Sequence, residues 1–219
     1  MFCGQLISSR FTPLRTTDTV GEALLQMEEK QVSCLPVVDE DHYLGMLREE
    51  DLLDEEASLP IADFSDLFSG VAVRSQDHFL VAVKLSHVYD LPLVPVANEK
   101  QEWEGVIVQS DLFRQLAMLT GAEEFGSMLV LEMERKEYAP GLMNRLVESN
   151  DALITQLNTW YDTATQLLTV VIRINKEEIS DVVASFQRHG FFIRYYLGEE
   201  MFRNELQSNL EHLLNYLNI

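Results

Sequence analysis

The chain has 219 residues, 47% hydrophobic and 24% charged, a balance that fills a core and leaves room for two small domains. Thirty-six acidic residues against 16 basic ones give a formal net charge of −20, so nucleic acid and anionic membrane surfaces are excluded as partners by repulsion. No apolar run approaches the roughly 18 residues of a membrane span. The first ten residues lack a secretory pattern, and the two cysteines, Cys3 and Cys34, form no disulfide or metal framework; a reducing cytoplasm is the expected location.

In chain order, the first predicted element is a helix with Val20, Ala23, Leu24 and Met27 on one apolar face. Thr19, with Glu22 three residues on, reads as its capping box. A strand follows at Leu35-Pro36-Val37-Val38-Asp39, then a turn over Asp39 to His42, a strand at Gly45-Met46-Leu47, and a closing helix from Asp51-Leu52-Leu53. Ala57 to Gly70 is the connector, with Asp63 to Phe68 as a short helix. The pattern then returns. Phe79, Ala82 and Val83 take the helix positions, followed by Val94-Pro95-Val96-Ala97-Asn98, Gly105-Val106-Ile107 and Asp111-Leu112-Phe113. The second copy is one residue longer in the polar stretch before Gly105, where a hairpin turn tolerates insertion. One such unit cannot close its own core, whereas two packed together can.

Two copies of apolar-Pro-Val, a hairpin, and Gly-hydrophobic-hydrophobic-x-x-x-Asp resemble the CBS repeats that pair into a Bateman module. The resemblance covers residues 1–121, with repeats at about 6–56 and 63–121. It implies clefts that hold adenosine compounds, with AMP, ATP and S-adenosylmethionine as candidate ligands. The family motif places a hydroxyl three residues after the glycine and an aspartate six residues after it. A carboxylate there accepts hydrogen bonds from ribose hydroxyls, and a hydroxyl at a helix start reaches phosphate. Both aspartates are kept, as Asp51 and Asp111, but Arg48 and Val108 stand where the hydroxyls belong. Arg48 can pair with phosphate and Val108 cannot, so the expected site centres on Asp51 and Arg48, beside Pro36, with the one at Asp111 and Pro95 weaker or empty. Against this stands the plainer reading that both acids only favour helix starts. Ser110 lies close to Asp111, in a direction the sequence does not give.

After Gly126 the pattern changes. Met128 to Glu134 reads as a strand, Leu142 and Leu146 as one face of a short helix after Pro140-Gly141, and Leu153 to Trp160 and Leu167 to Asn175 as two strands. Ile179, Val182, Val183 and Phe186 form a helical face ended by His189 and Gly190, and Phe191 to Leu197 is a last strand. The sum is β-α-β-β-α-β, a ferredoxin-like plait over 126–198. Pro140-Gly141-Leu142 at the first strand-to-helix turn and Gly190-Phe191 before the last strand resemble an ACT domain. That resemblance implies an effector site at Pro140, Gly141 and Leu142, although Arg135 to Tyr138 makes the turn longer than the pattern, and a Pro-Gly turn also simply starts a helix. Leu206, Leu210, Leu213, Leu214 and Leu217 predict a C-terminal helix over 199–219.

The five histidines have no metal-ligand spacing, and the sequence holds no nucleophile elbow or phosphate-binding glycine loop. The acidic runs Asp39-Glu40-Asp41 and Glu49-Glu50-Asp51 do not have the spacing of a cation loop. The fold expected is mixed α+β, a CBS pair plus a βαββαβ domain. The expected function is non-enzymatic sensing of a small-molecule effector, with no required cofactor or metal, a homodimeric state and a protein target. The alternative is a structural or protein-interaction module whose ligand sites have degenerated.

Overall fold

A computed structural model describes residues 1–198. They form two compact units, Met1–Leu116 and a second one from Ala117 onward. The leucines at 206–217 lie outside the described residues.

In the first unit, β1 (Leu14–Arg15) pairs in parallel with β2 (Cys34–Asp39), and β2 pairs antiparallel with β3 (His42–Arg48). Helix α1 (Val20–Lys30) lies between β1 and β2 in sequence. Its capping box forms: the Thr19 hydroxyl accepts from the Glu22 amide (3.3 Å) and the Glu22 carboxylate accepts from the Thr19 amide (2.9 Å). The same order returns as α2 (Phe79–Val88), β4 (Leu93–Ala97), β5 (Trp103–Val108) and α3 (Gln109–Leu119). Both hairpins carry a bulge at the matching place, Val37/Val38 and Val96/Ala97. A parallel bridge from Val73 to Val96 repeats that from Leu14 to Val37.

The two repeats interlock. The segment before the second repeat pairs with the first repeat's β3, with Met46 and Ser69 exchanging amide-to-carbonyl bonds of 2.8 and 2.9 Å. The segment before the first repeat pairs with the second repeat's β5, where the Ser8 amide donates to the Val106 carbonyl (2.7 Å). The hairpin turns also meet: the Tyr43 amide donates to Gln101, the Trp103 amide to Asp41, and the two rings stack at 5.8 Å. The buried Tyr43 hydroxyl donates to the Val71 carbonyl at 2.9 Å. These crossings explain the motif glycines. A Cβ on Gly45 would stand 2.8 Å from Phe68 Cβ, and one on Gly105 would stand 2.5 Å from Ile7 Cγ2.

One expectation is corrected. The closing helix of the first repeat is a three-residue 3-10 turn, Glu49–Asp51, while only the second repeat forms a full helix there. Six carboxylates fill the eight positions from Glu49 to Glu56, and like charges at helical spacing oppose a helix. The chain instead delivers the Leu59 and Ala57 carbonyls to the Val20 and Gly21 amides, both at 2.9 Å, where the start of α1 needs acceptors.

The second unit has the predicted order: β6 (Ser127–Met133), α4 (Pro140–Glu148), β7 (Ile154–Asp162), β8 (Leu167–Ile174), α5 (Ser180–Arg188) and β9 (Phe192–Leu197). The antiparallel sheet runs β7-β8-β6-β9. Leu129, Leu131, Val170 and Ile172 face α4 and α5 in a core with Met143, Val147, Val182 and Phe186. Alternation along each strand puts Met128, Arg173 and Leu197 on the other face, side by side in the register.

Candidate ligand clefts

Asp111 sits in the first turn of α3, its side chain 17% exposed, with Arg114 Nη1 donating to its carboxylate at 2.9 Å. The N-terminal segment that crosses to β5 runs beside it. Gln5 to Arg10, Asp111, Arg114 and Gln115 enclose a polar cleft of about 390 Å³. Arg114 pairs with the Asp111 carboxylate and Arg10 lines the same cleft, so two basic residues and one acidic residue line it on a chain of net charge −20. Ser8 and Ser9 add hydroxyls, with Ser8 Oγ accepting from the Arg10 amide at 3.3 Å. The sequence reading missed this segment, since its pairing partner Val106 stands nearly a hundred residues away.

The Asp51 side is arranged differently. Asp51 ends the 3-10 turn and is half-buried. The Arg48 guanidinium, expected to meet phosphate, donates through Nη2 to the Tyr89 carbonyl at the end of α2 (2.5 Å), with Glu50 at 3.8 Å from Nη1. It thus ties the first repeat to the second. Arg48 also lies opposite Cys34 in the hairpin. Burial pushes the Cys34 thiol up to about 11, so it stays protonated at neutral pH and packs as a small apolar group.

Pro36 and Pro95 are buried in β2 and β4, opposite Met46 and Val106. Met46 directs its amide and carbonyl outward to Ser69, so Pro36 faces a non-bonded pair and its missing amide leaves no gap there. Val108 closes β5 opposite Leu93. Ser110 lines a different cleft, of about 480 Å³, between α2 and α3 with Val83, His87, Asp90 and Phe113; the structure therefore separates it from Asp111.

In the second unit, Pro140 opens α4 at its first position and Gly141 follows, both exposed, while Leu142 packs against the core. The nearby cleft of about 520 Å³ is lined by Glu134, Arg135, Lys136, Tyr161 and Thr165 to Leu167, without Pro140, Gly141 or Leu142. There the Arg135 guanidinium lies 3.9 Å over the Tyr161 ring and Lys136 pairs with Glu134 at 2.7 Å. Among the described residues no group of three or more acids, histidines or cysteines is placed to hold a metal ion, and no helix is long and apolar enough to cross a membrane.

Comparison with known proteins gives the first unit its relatives. Residues 3–58 match the CBS domain. A CBS domain pair/ACT domain protein from Thermotoga maritima is 24% identical over 54% of this chain and 98% of its own, with a TM-score of 0.50. The CBS domains of a transcriptional regulator from Streptococcus pneumoniae are 22% identical, over 52% of this chain and 98% of theirs (TM-score 0.46). CBSX2 in complex with AMP is 19% identical, over 53% and 96% (TM-score 0.45). The mixed α+β architecture of this chain includes the fold of a CBS domain pair.

Proposed function

We propose that residues 1–121 form a regulatory CBS pair that senses an adenosine nucleotide or derivative, and that the ligand binds in the Asp111 cleft. The observation that carries this reading is a polar cleft of about 390 Å³ lined by the Asp111–Arg114 pair together with Arg10. A carboxylate has lone pairs for Arg114 and for ribose hydroxyls together. Arg10 and Arg114, both exposed, supply charge-assisted bonds to phosphate. The weight thus moves from Asp51 to Asp111, because Arg48 is held by Tyr89. Residues 126–198 are read as an ACT-like effector or docking domain, with Pro140, Gly141 and Leu142 as its weaker candidate site. The protein acts without catalysis in the cytoplasm, and its output is a change in packing with a protein target. Such a change requires different ligand affinities in the two states.

The test is thermal unfolding with AMP, ATP and S-adenosylmethionine. A ligand at about 100 times its Kd adds about 2.7 kcal/mol to the folded state, a clear rise in midpoint. We expect that rise to vanish in Asp111→Ala and persist in Asp51→Ala. The opposite pattern would place the ligand at Asp51, and no rise with any of the three would end the adenosine assignment.

The homodimer is proposed to form through α2 and α3, whose surface leaves Phe113 72% and Val88 59% exposed. Sedimentation should show a dimer in the parent and a monomer in Phe113→Glu; a parent that sediments as a monomer removes this part of the reading. The same patch favours the second reading, an interaction module with degenerate sites, as does the engagement of Arg48.

A further inference from the structure

Among the described residues of the second unit, α4 and α5 pack on one face of the sheet, in the core with Leu129, Leu131, Val170 and Ile172. Alternation and register turn Val130, Val171 and Thr169, from the two central strands, to the other face. Trp160 stands beside Thr169 on the edge strand β7, and Tyr195 stands beside Val130 on the opposite edge strand, β9. Phe192 follows on β9, next to Glu132. The face is thus a trough. Val130 and Thr169 on its floor are 1% and 3% exposed, while the rings on its rims stand bare: Trp160 at 51%, Tyr195 at 45% and Phe192 at 62%. Exposed rings gathered on one sheet face mark a surface that takes a partner. The edge strands of a four-stranded sheet lie about 14 Å apart, and a helix with its side chains is about 10–12 Å across. One helix fits between the rims.

The chain itself leaves the sheet at this face. β9 ends beside the first residues of β6, where Met128, Arg173, Leu197 and Gly198 line a cavity of about 390 Å³. Residues 199–219 follow directly and lie outside the described residues. Their sequence sets Leu206, Leu210, Leu213, Leu214 and Leu217 at the spacing of one apolar helix side. A helix from Leu206 to Leu217 measures about 17 Å at 1.5 Å per residue, and the run of β6 from Met128 to Met133 measures about the same at 3.4 Å per residue. Stripe and trough therefore match in length. Residues 199–205 suffice for the reversal of direction, and so short a tether holds the stripe at a local concentration on the order of millimolar. No separate partner starts with that advantage.

We propose that residues 206–217 dock as an amphipathic helix in this trough, leucines inward, on the sheet of their own chain. Trp160 flanks the helix on one side, and Tyr195 and Phe192 flank it on the other. The assignment uses no residue of the first unit and is independent of nucleotide sensing.

Trp160 reports on the docking. In the full chain carrying Trp103→Phe it is the one tryptophan left. Its emission should sit at short wavelength, and acrylamide should quench it weakly. Leu210→Asp together with Leu214→Asp should move the emission to longer wavelength and raise the quenching constant several-fold. Ser208→Asp, on the opposite side of the same helix, should change neither. Where the double variant loses the circular dichroism of the folded chain, Leu213→Ser alone should still raise the quenching. The protection should not depend on protein concentration, because the occupant is tethered. Full quenching in the parent, no change in the leucine variants, an equal change in Ser208→Asp, or protection that falls on dilution (the mark of a second copy) overturns the proposal.

Discussion

Gly45→Ala is expected to cost about 3–5 kcal/mol, a large share of the 5–15 kcal/mol that holds a typical domain folded. Two effects add. Gly45 has φ +155°, a conformation that costs an L-residue about 1–3 kcal/mol. The new Cβ would also stand 2.8 Å from Phe68 Cβ, 3.0 Å from the Phe68 carbonyl carbon and 3.0 Å from the Ser69 oxygen. Two of those three are backbone atoms of the crossing segment, so relief requires moving it off β3. That move breaks the paired Met46 and Ser69 hydrogen bonds, worth about 1 kcal/mol each. Gly105→Ala is the comparison. Its φ is +139°, but its close neighbour is a side-chain methyl, Ile7 Cγ2, which can shift. It should cost about 1–3 kcal/mol, the backbone share alone. Urea denaturation followed by circular dichroism measures both. Equal costs would mean that the crossing at Phe68 is no tighter than the crossing at Ile7.

Phe186→Ala should cost about 3–5 kcal/mol, the range for removing a buried phenylalanine from a packed core. Phe186 is fully buried in α5 among the core residues of the second unit. Its ring lies 5.3 Å from that of Phe191, tilted by 49°, and its carbonyl accepts the Phe191 amide at 3.1 Å. The residue therefore fills the core and also anchors the turn into β9. Phe186→Leu keeps most of the apolar volume and should lose less than about 1.5 kcal/mol. The same denaturation experiment separates them; a cost below 1 kcal/mol for alanine would contradict the packing described for α5.

The strongest local signals held well. The apolar spacing of Val20, Ala23 and Met27 with the Thr19–Glu22 box gave α1, because caps and periodicity act within a few residues. The same holds for α5 and for the strands of the second unit, where alternation and β-branched runs marked β6 and β8. The closing helix expected from Asp51-Leu52-Leu53 in the first repeat is a 3-10 turn, and the acid-rich stretch from Glu49 to Glu56 argues against a helix there. That charge run was visible in the sequence, and like-charge spacing was the signal that would have found the turn.

The candidate sites divide in the same way. Which residues carry charge, which strands alternate and that one unit is doubled were determined by the sequence alone, since each is written within one element. Which arginine is open to a ligand was decided by tertiary structure: Arg48 reaches the Tyr89 carbonyl in the other repeat, while Arg10 and Arg114, from distant parts of the chain, line one cleft. Likewise Ser110 and Asp111, adjacent in sequence, line different clefts, because successive residues on a helix point in different directions. The cavity at Arg173 exists because β6, β8 and β9 come into register from separate parts of the chain. Contacts of that kind close over loops of many residues, and no periodicity within a segment encodes the partner it will meet.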